Sequence, residues 1–534
     1  MHPKKKVFVY LPAGYVVNLT PENMAILGSI IKRAIELRSR MPAIFSTKDP
    51  NAIQKKELKK LLKRASNTAF GEHYAFHDIL RSKDPVGAFQ KQVPMHDYSS
   101  MFKDWWYRAL NGEPFVCWPG IVRYFALSSG TSEASSKYIP VTADMLRTIK
   151  KTSIRQIFSL ARYDFPRAFY ERGILMLGGS THLNYNGTFY EGDLSGITTK
   201  NIPFWFQHFY KPGKRISKER DWPTKLNEIV KKAPKWDIGV IVGVPAWWQI
   251  LIEKIIDHYK VKHIHEIWPN LSIFVHGGVS FAPYAKGFEK LLGRPLVYIE
   301  TYLASEGFIA FQSRPGTSGM QLALNEGLFY EYVPFNSSNF DEEGNLNHNA
   351  VALTIDQVEE GKEYALLLST CAGAWRYLIG DTIKFVNKEL SEIVITGRTK
   401  HFLNLCGEHM SQENMNMAIK MAEDQLNIEI REFTVAGIKH QTMFAHKWYI
   451  GTDNEVDPAA LREQIDENLK ALNDDYRVER IAAIKEVIVE VHPSKVFYDW
   501  MRQKGKEGAQ NKFPRVVKNK VLEDWENHLH TIKG

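Results

Sequence analysis

The sequence predicts an α/β protein with a large N-terminal domain of mixed β-sheets and flanking helices, a small β-barrel-like part within it, and a smaller α+β C-terminal domain. Three stretches carry that expectation. Between residues 173 and 302, short apolar runs (Gly173 to Leu177, Ile238 to Val244, Leu271 to Val275 and Leu296 to Tyr302) end in Gly, Pro or polar turns, and the helical stretch Trp247 to Tyr259 sits between two of them. From Gly319 to Val386, strand-like pieces follow one another with little helix. Beyond Gly397 a self-contained mixture of helix and strand begins.

Taken in order, Ala25 to Arg40 places Ile26, Leu27, Ile30, Ile31, Ala34, Ile35 and Leu37 at the spacing of one helix face. Glu57 to Arg64 repeats the pattern with basic residues outward, and Leu80 to Val116 reads as loop and helix rich in Pro, His and aromatic residues. The alternation that follows predicts layered α/β structure with ligand loops at strand ends. The antiparallel stretch is expected to hold strands at Gln321 to Leu324, Gly327 to Val333, Ala350 to Ile355, Tyr364 to Ser369 and Ile383 to Val386. Gly397-Arg398-Thr399-Lys400 stands between expected strands Glu392 to Thr396 and His401 to Leu405. A helix capped by Ser411 then runs to about Leu426, followed by strands Glu432 to Ile438 and His446 to Gly451. A helix from Pro458 to about Asn473, a strand Glu486 to Val491 and a basic tail complete the pattern. A chain of 534 residues is too long for one core. It is expected to divide into residues 1–397 and 398–534, with 1–23 read as an extension ahead of the first helix.

Composition excludes several classes. Hydrophobic content of 44% and charged content of 24% are those of a globular protein and not of a disordered one. The net charge of +9 is concentrated in Lys4-Lys5-Lys6, Lys55 to Lys63 and Lys495 to Lys520, which read as solvated faces. No zinc-finger or RNA-recognition pattern accompanies them, so no nucleic-acid partner is expected. Cys117, Cys371 and Cys406 are too far apart for a CxxC site or a disulfide framework, which points to a reducing cytoplasm. No window holds about 18 uninterrupted apolar residues, so no membrane span is expected. Pro12 and Gly14 interrupt the apolar run Val7 to Val17 and argue against a signal peptide. Gly361-Lys362 runs into Glu363, so there is no P-loop, and HExxH, GxGxxG and GxSxG are all missing. His73, His77, His263 and His265 lack the company of further metal ligands.

Three segments in fixed order carry the chemistry. Ser128-Ser129-Gly130-Thr131-Ser132 is a hydroxyl-rich turn followed by Lys137 and Pro140, in which hydroxyls and backbone N–H groups can cradle phosphate oxygens and the lysine adds a cation. Tyr302-Leu303-Ala304-Ser305-Glu306 sets a ring that can stack on a base four residues before a carboxylate that can hold Mg²⁺ against phosphates. Tyr377-Leu378-Ile379-Gly380-Asp381 ends in a carboxylate able to accept both hydrogen bonds of a ribose diol. Each segment alone is an ordinary turn. Their order is the signal: together they are the parts needed to hold ATP and hand on its α-phosphate.

These motifs, S-S-G-T-S-x-x-x-x-K-x-x-P, Y-x-x-S-E, Tyr377 to Asp381 and Gly397-Arg398, resemble the adenylate-forming superfamily of acyl-CoA synthetases, luciferases and peptide-synthetase adenylation domains. Leu177-Gly178-Gly179-Ser180, Val242 to Trp247 and Phe274 to Gly278 make the resemblance closest to its Gretchen Hagen branch, the auxin-responsive acyl-acid amido synthetases and their bacterial relatives. The likeness runs from about residue 24 to about 520. It implies an ATP- and Mg²⁺-dependent ligase that joins a carboxylic acid to an amine, an amino acid, through an acyl-AMP. Ser128, Ser129, Gly130, Thr131, Ser132 and Lys137 would lie at the phosphates, although Lys137 also reads as a surface residue. Gly277 and Gly278 would let the backbone approach the adenine and Tyr302 give it a face, with Thr301 and Ser305 also at the nucleotide. Glu306 would hold the metal, Asp381 the ribose hydroxyls, and Arg398 the ribose or phosphate edge. Lys400 falls at the position of the hinge. Gln510-Asn511-Lys512-Phe513-Pro514-Arg515 resembles the branch's Q-x-K-x-P-R segment and makes Lys512 the catalytic cation. One departure stands out: Glu133-Ala134-Ser135-Ser136 replaces the second Gly usual after the hydroxyl run. A CoA thioester as product, or a non-catalytic nucleotide-binding homologue, are the alternatives. Tyr163, Trp205 and Trp247 are expected around the acyl pocket or in the core, and a monomer is expected.

Overall fold

The computed structural model describes residues 8–10, 16–18, 49–128, 137–202, 204–278, 281, 284–341, 344–399, 403, 408, 410–440, 443–473, 476–477, 479–480, 484–506, 508 and 512–533. The expected helix Ala25 to Arg40 lies outside them, as do Ser129 to Ser136 and Lys400. Strands β1 (Phe8–Tyr10) and β2 (Val16–Asn18) pair as a small hairpin. The first described helix, Pro50–Ala65, starts where Asp49 accepts from the amides of Asn51 and Ala52 and Pro50 supplies a preset φ.

Strands β3 (Tyr124–Ser128) and β4 (Lys137–Val141) form a hairpin that flanks the hydroxyl-rich loop. Along the chain follow β5 (Gly173–Leu177), β6 (Asn184–Tyr185), β7 (Tyr190–Gly192), β8 (Tyr210–Lys211), β9 (Ile238–Gly243), β10 (Ile273–Gly277) and β11 (Val297–Ala304). Strands β8, β5, β9, β10 and β11 are parallel neighbours in that order. Helices Leu194–Lys200, Trp222–Lys232, Pro245–Tyr259 and Ala285–Leu291 lie in the crossovers that parallel pairing demands.

The antiparallel stretch comprises β12 (Gly307–Phe311), β13 (Met320–Leu322), β14 (Leu328–Pro334), β15 (Glu363–Thr370), β16 (Tyr377–Asn387) and β17 (Glu392–Arg398). It is continuous with the parallel strands, so that one eleven-stranded sheet runs β14-β15-β16-β17-β13-β12-β11-β10-β9-β5-β8. Ala350 to Ile355, expected as a strand, contributes only a bridge between Leu353 and Tyr332. Two of its donors go to side chains, Val351 N–H to Asn339 (2.9 Å) and Thr354 N–H to Gln357 (2.8 Å), and the Ala350 N–H goes to the Asn347 carbonyl (3.1 Å). Ahead of β16, Arg376 is buried against Glu331 (3.0 Å) and donates to the carbonyls of Gln90 and Val93, both at 2.7 Å. That clamp sets the entry of the Tyr377 to Asp381 segment into the sheet.

The C-terminal region has a three-stranded sheet of β18 (Glu432–His440), β19 (Met443–Gly451) and β20 (Ile484–His492). Helices Gln412–Leu426 and Pro458–Leu472 cover one face through Met415, Ile419, Leu461, Ile465, Val435 and Trp448. The Ser411 cap forms as expected, closing a capping box with Asn414. The other face, with Ala436 and Tyr449, joins helices Ser494–Gln503 and Asn519–Lys533, in the stretch expected as a basic tail. Their apolar residues Phe497, Trp500, Trp525 and Leu529 merge with Trp222, Trp247, Trp248 and Leu251 of the large region into one core cluster. No helix among the described residues is long and apolar enough to cross a membrane.

Candidate active site

The site gathers at the ends of β10 and β11. Glycine is required at Gly277, where a Cβ would stand 2.1 Å from the Thr301 carbonyl oxygen, so the two strand ends approach more closely than any side chain permits. Gly278 has φ +86°, and a Cβ there would come within 3.1 Å of the Lys512 ammonium. The Lys512 ammonium instead donates to the Gly278 carbonyl. Two residues make the turn of the β11–β12 hairpin, Ser305 and Glu306, with Ala304 paired to Gly307. The β11–β12 register shifts between Tyr302 and Leu303, where β12 carries one extra residue, Ile309.

Tyr302 donates its phenol O–H to Asp381. Asp381 also pairs with Arg398, its direct partner across β16 and β17, at 3.0 Å. Gly380, with φ +89°, lets β16 bend there, and its carbonyl accepts the Thr399 amide at 2.8 Å. Arg398 further donates to the Ile379 carbonyl at 3.3 Å. Burial, then the charge of Asp381, pushes the Tyr302 phenol well above its ordinary range. Burial likewise raises Glu306 to about 7, with Asp381 adding to the shift and Arg398 and Lys137 opposing it. Lys512 stays solvent-accessible as a residue, but desolvation of its ammonium lowers it to about 8. Arg398 and Arg515 push the same way, and Asp381 pushes back. Opposite charges are thus interleaved: two carboxylates, Glu306 and Asp381, among Lys137, Arg398 and Lys512.

Lys137 begins β4 opposite Ser128, and its ammonium lies 5.2 Å from the centre of the Tyr98 ring. Ser129, Gly130, Thr131 and Ser132 lie outside the described residues, as does the expected hinge residue Lys400. Of the residues expected around the acyl pocket or in the core, Tyr163 and Trp247 lie on opposite faces of the parallel sheet. Tyr163 stacks near Phe165 (6.0 Å) and packs with Val242 and Val275 on one face of the parallel sheet. Trp247 is buried on the opposite face, against Trp222 (5.5 Å) and Tyr498 (6.2 Å), in the core shared with the C-terminal region. Trp205 belongs to a 3₁₀ helix, Phe204–His208.

Sequence reasoning passed over several buried polar groups near the site. His276, ahead of Gly277, is stacked on Phe281 at 4.9 Å and lowered to about 4 by burial. Its register partner Glu300 is raised to about 7 by burial. Both sit in runs that look like plain strand, where a single polar residue among Val, Ile and Tyr was the only signal. Tyr284 and Arg515, which meet at Glu432, join elements far apart in sequence and left no local pattern.

A parallel sheet continued by antiparallel strands, with a smaller α+β region packed over the strand ends, is the architecture of the adenylate-forming enzymes. The chain matches the solved 2-hydroxyisobutyryl-CoA ligase in its postadenylation state with a TM-score of 0.57 and 12% identity, over 90% of this chain and 91% of that one. Against the solved GH3.15 acyl acid amido synthetase the TM-score is 0.71 at 16% identity, covering 90% and 94%. Within that class the chain belongs to the GH3 family: the model of the GH3 N-terminal domain matches residues 44–225 and 180–296, that of the central domain 321–398, and that of the C-terminal domain 413–521. It is 25% identical over 228 residues to the jasmonoyl–L-amino acid synthetase GH3.5 of Oryza sativa subsp. japonica. That match covers 39% of this chain and spans 36% of the relative's length.

Proposed function

We propose that this protein is an ATP- and Mg²⁺-dependent ligase that adenylates a carboxylic acid and passes the acyl group to an amine, an amino acid, to form an amide. The observation that carries the reading is the meeting of Tyr302, Asp381 and Arg398 with Glu306 and Lys512 at one strand edge in a GH3 chain. The relatives' printed activities, jasmonoyl–amino acid synthesis and acyl acid amido synthesis, support it. The first step forms a bond between a carboxylate oxygen and the α-phosphorus and breaks the α–β phosphoanhydride, releasing pyrophosphate. Two anions must meet, so the barrier is largely electrostatic. Lys512 and Arg398 hold the developing charge, Asp381 takes the ribose hydroxyls, and Gly277 and Gly278 let the backbone approach the adenine beside Tyr302 and Thr301. Ser128 to Ser132 with Lys137 cradle the outer phosphates. In the second step the neutral amine attacks the acyl carbon, AMP leaves, and the amine loses a proton.

A buried carboxylate raised to about 7 is a hard oxygen donor whose charge a divalent ion would restore, so Glu306 fits Mg²⁺. The metal, when bound, neutralises phosphate oxygens. Residues 398–400 form the boundary between the two domains in this reading, and the cytoplasm is the compartment.

The product tests the reading. With a competent acid, ATP and Mg²⁺, amino acids should consume the acyl-adenylate and yield an amide by mass spectrometry, while CoA should not. A thioester without amide would assign the protein to the ligase class instead, and no pyrophosphate with any acid would leave a nucleotide-binding homologue.

The pH profile follows from the two shifted groups. Glu306 acts ionised and Lys512 acts protonated, so kcat/KM for adenylation should climb as pH rises through about 7 and drop as it passes about 8. Lys512→Arg should extend the alkaline limb, because a guanidinium keeps its proton. The same raised Glu306 works against the nucleotide-free fold. Its contribution to stability is full below about pH 4.5 and is lost as pH rises through about 7.

A further inference from the structure

The segment that carries Lys512 is fixed at three points. Gly508 lies flat against the Trp222 indole, where a Cβ would come within 2.2 Å of the ring. Phe513 is buried between Phe497, Trp500 and Trp525, with ring centroids 4.8, 5.0 and 5.0 Å away. Arg515 is buried against Glu432 at 2.6 Å, donates to the Phe433 carbonyl at 3.1 Å, and lies 4.4 Å over the Phe433 ring. Its carbonyl accepts the Val435 amide at 3.0 Å, which ties the segment to β18.

One group from the large region completes this ion pair. Tyr284, immediately ahead of the helix Ala285–Leu291, donates its phenol to the second Glu432 oxygen at 3.1 Å and stands 3.5 Å from the Arg515 guanidinium. Burial, then Glu432, raises that phenol, so it remains a donor at every working pH. A buried carboxylate that loses one of its donors is left with an unsatisfied oxygen, and its surroundings must shift or admit water.

We infer that Tyr284 is a positioning residue for Lys512: through Glu432 and Arg515 it seats residues 512–515 so that the ammonium meets the Gly278 carbonyl beside Asp381 and Arg398. It touches no reacting atom. The inference rests on the role given to Lys512 above.

Tyr284→Phe in the full chain keeps the ring and removes only the hydroxyl. Pyrophosphate exchange should fall roughly tenfold in kcat, the worth of one hydrogen bond to a charged group. The KM for ATP should stay within about twofold, and aminolysis of supplied acyl-adenylate should be unchanged. A second readout needs no activity: acetylation of the Lys512 amine by acetic anhydride as a function of pH, followed on its peptide by mass spectrometry. The wild-type midpoint should lie near about 8, set by burial and by Arg398, Asp381 and Arg515. In Tyr284→Phe it should move up towards the ordinary lysine range as the ammonium regains water. An unmoved midpoint with unmoved kcat overturns the inference. Equal loss of both half-reactions with a lowered melting temperature overturns it as well, since that marks a purely structural tyrosine. If Tyr284→Phe does not fold, Glu432→Gln carries the same two expectations. Should the wild type exchange no pyrophosphate, the proposed function fails, while the labelling midpoint still decides whether Tyr284 seats Lys512.

Discussion

Lys512→Ala is expected to slow adenylation by about 10²–10³, by analogy with removal of one preorganised charge-stabilising donor. The motive is geometric. Its ammonium is the cation delivered from the C-terminal region to the Gly278 carbonyl, within the field of Asp381 and Arg398. In the proposed reaction, attack of one anion on another would need it, whereas attack of a neutral amine on an acyl carbon would not. Acyl-adenylate supplied from outside should therefore still be aminolysed at close to the wild-type rate. Rapid-quench measurement of each half-reaction separates the two. Equal loss of both would give the lysine a structural role, and loss of neither would move the catalytic cation elsewhere.

Asp381→Ala should weaken ATP binding by ten- to a hundredfold, since charge-assisted hydrogen bonds contribute roughly 1.5–3 kcal/mol. The carboxylate is held in place by Tyr302 and Arg398, so its two oxygens are aimed before any nucleotide arrives. Arg398 keeps partial access to solvent, with 38% of its side chain exposed, so the substitution does not strand a buried charge. Isothermal titration with a non-hydrolysable ATP analogue, beside a melting curve, reads affinity and folding independently. Unchanged affinity in the folded variant would remove Asp381 from the nucleotide site.

Much of this was legible because the chemistry is local. Tyr302 and Glu306 share one hairpin, and Gly277-Gly278 end one strand, so each motif is a few residues long and positioned by its own backbone. The strand runs at 173–177, 238–243 and 273–277 were visible for the same reason: buried parallel strands are uninterrupted apolar stretches. What escaped was non-local. No spacing in the sequence says that β14 to β17 continue the parallel sheet, because they join it where β13 pairs with β17 across some seventy residues. Helices Ser494–Gln503 and Asn519–Lys533 were hidden by their own lysines, whose charge masked the apolar stripe of Val496, Phe497, Trp500, Trp525 and Leu529. For Trp247, aromatic character leaves pocket wall and core both open, and the structure places it in the core. Its neighbours Trp222 and Tyr498 lie 25 residues before and 251 after it, and only the fold brings them together.

The tryptophan-rich core shared by the two regions has a thermal consequence. Apolar adhesion of this kind carries little enthalpy near room temperature and a large heat-capacity change, so it loosens on cooling. Any step of turnover that parts Phe497, Trp500 and Trp525 from Trp222 and Trp247 would expose that surface to water and inherit the same signature. Such a step becomes easier in the cold while bond-making becomes slower. The temperature at which the one overtakes the other is then written into the composition of this seam.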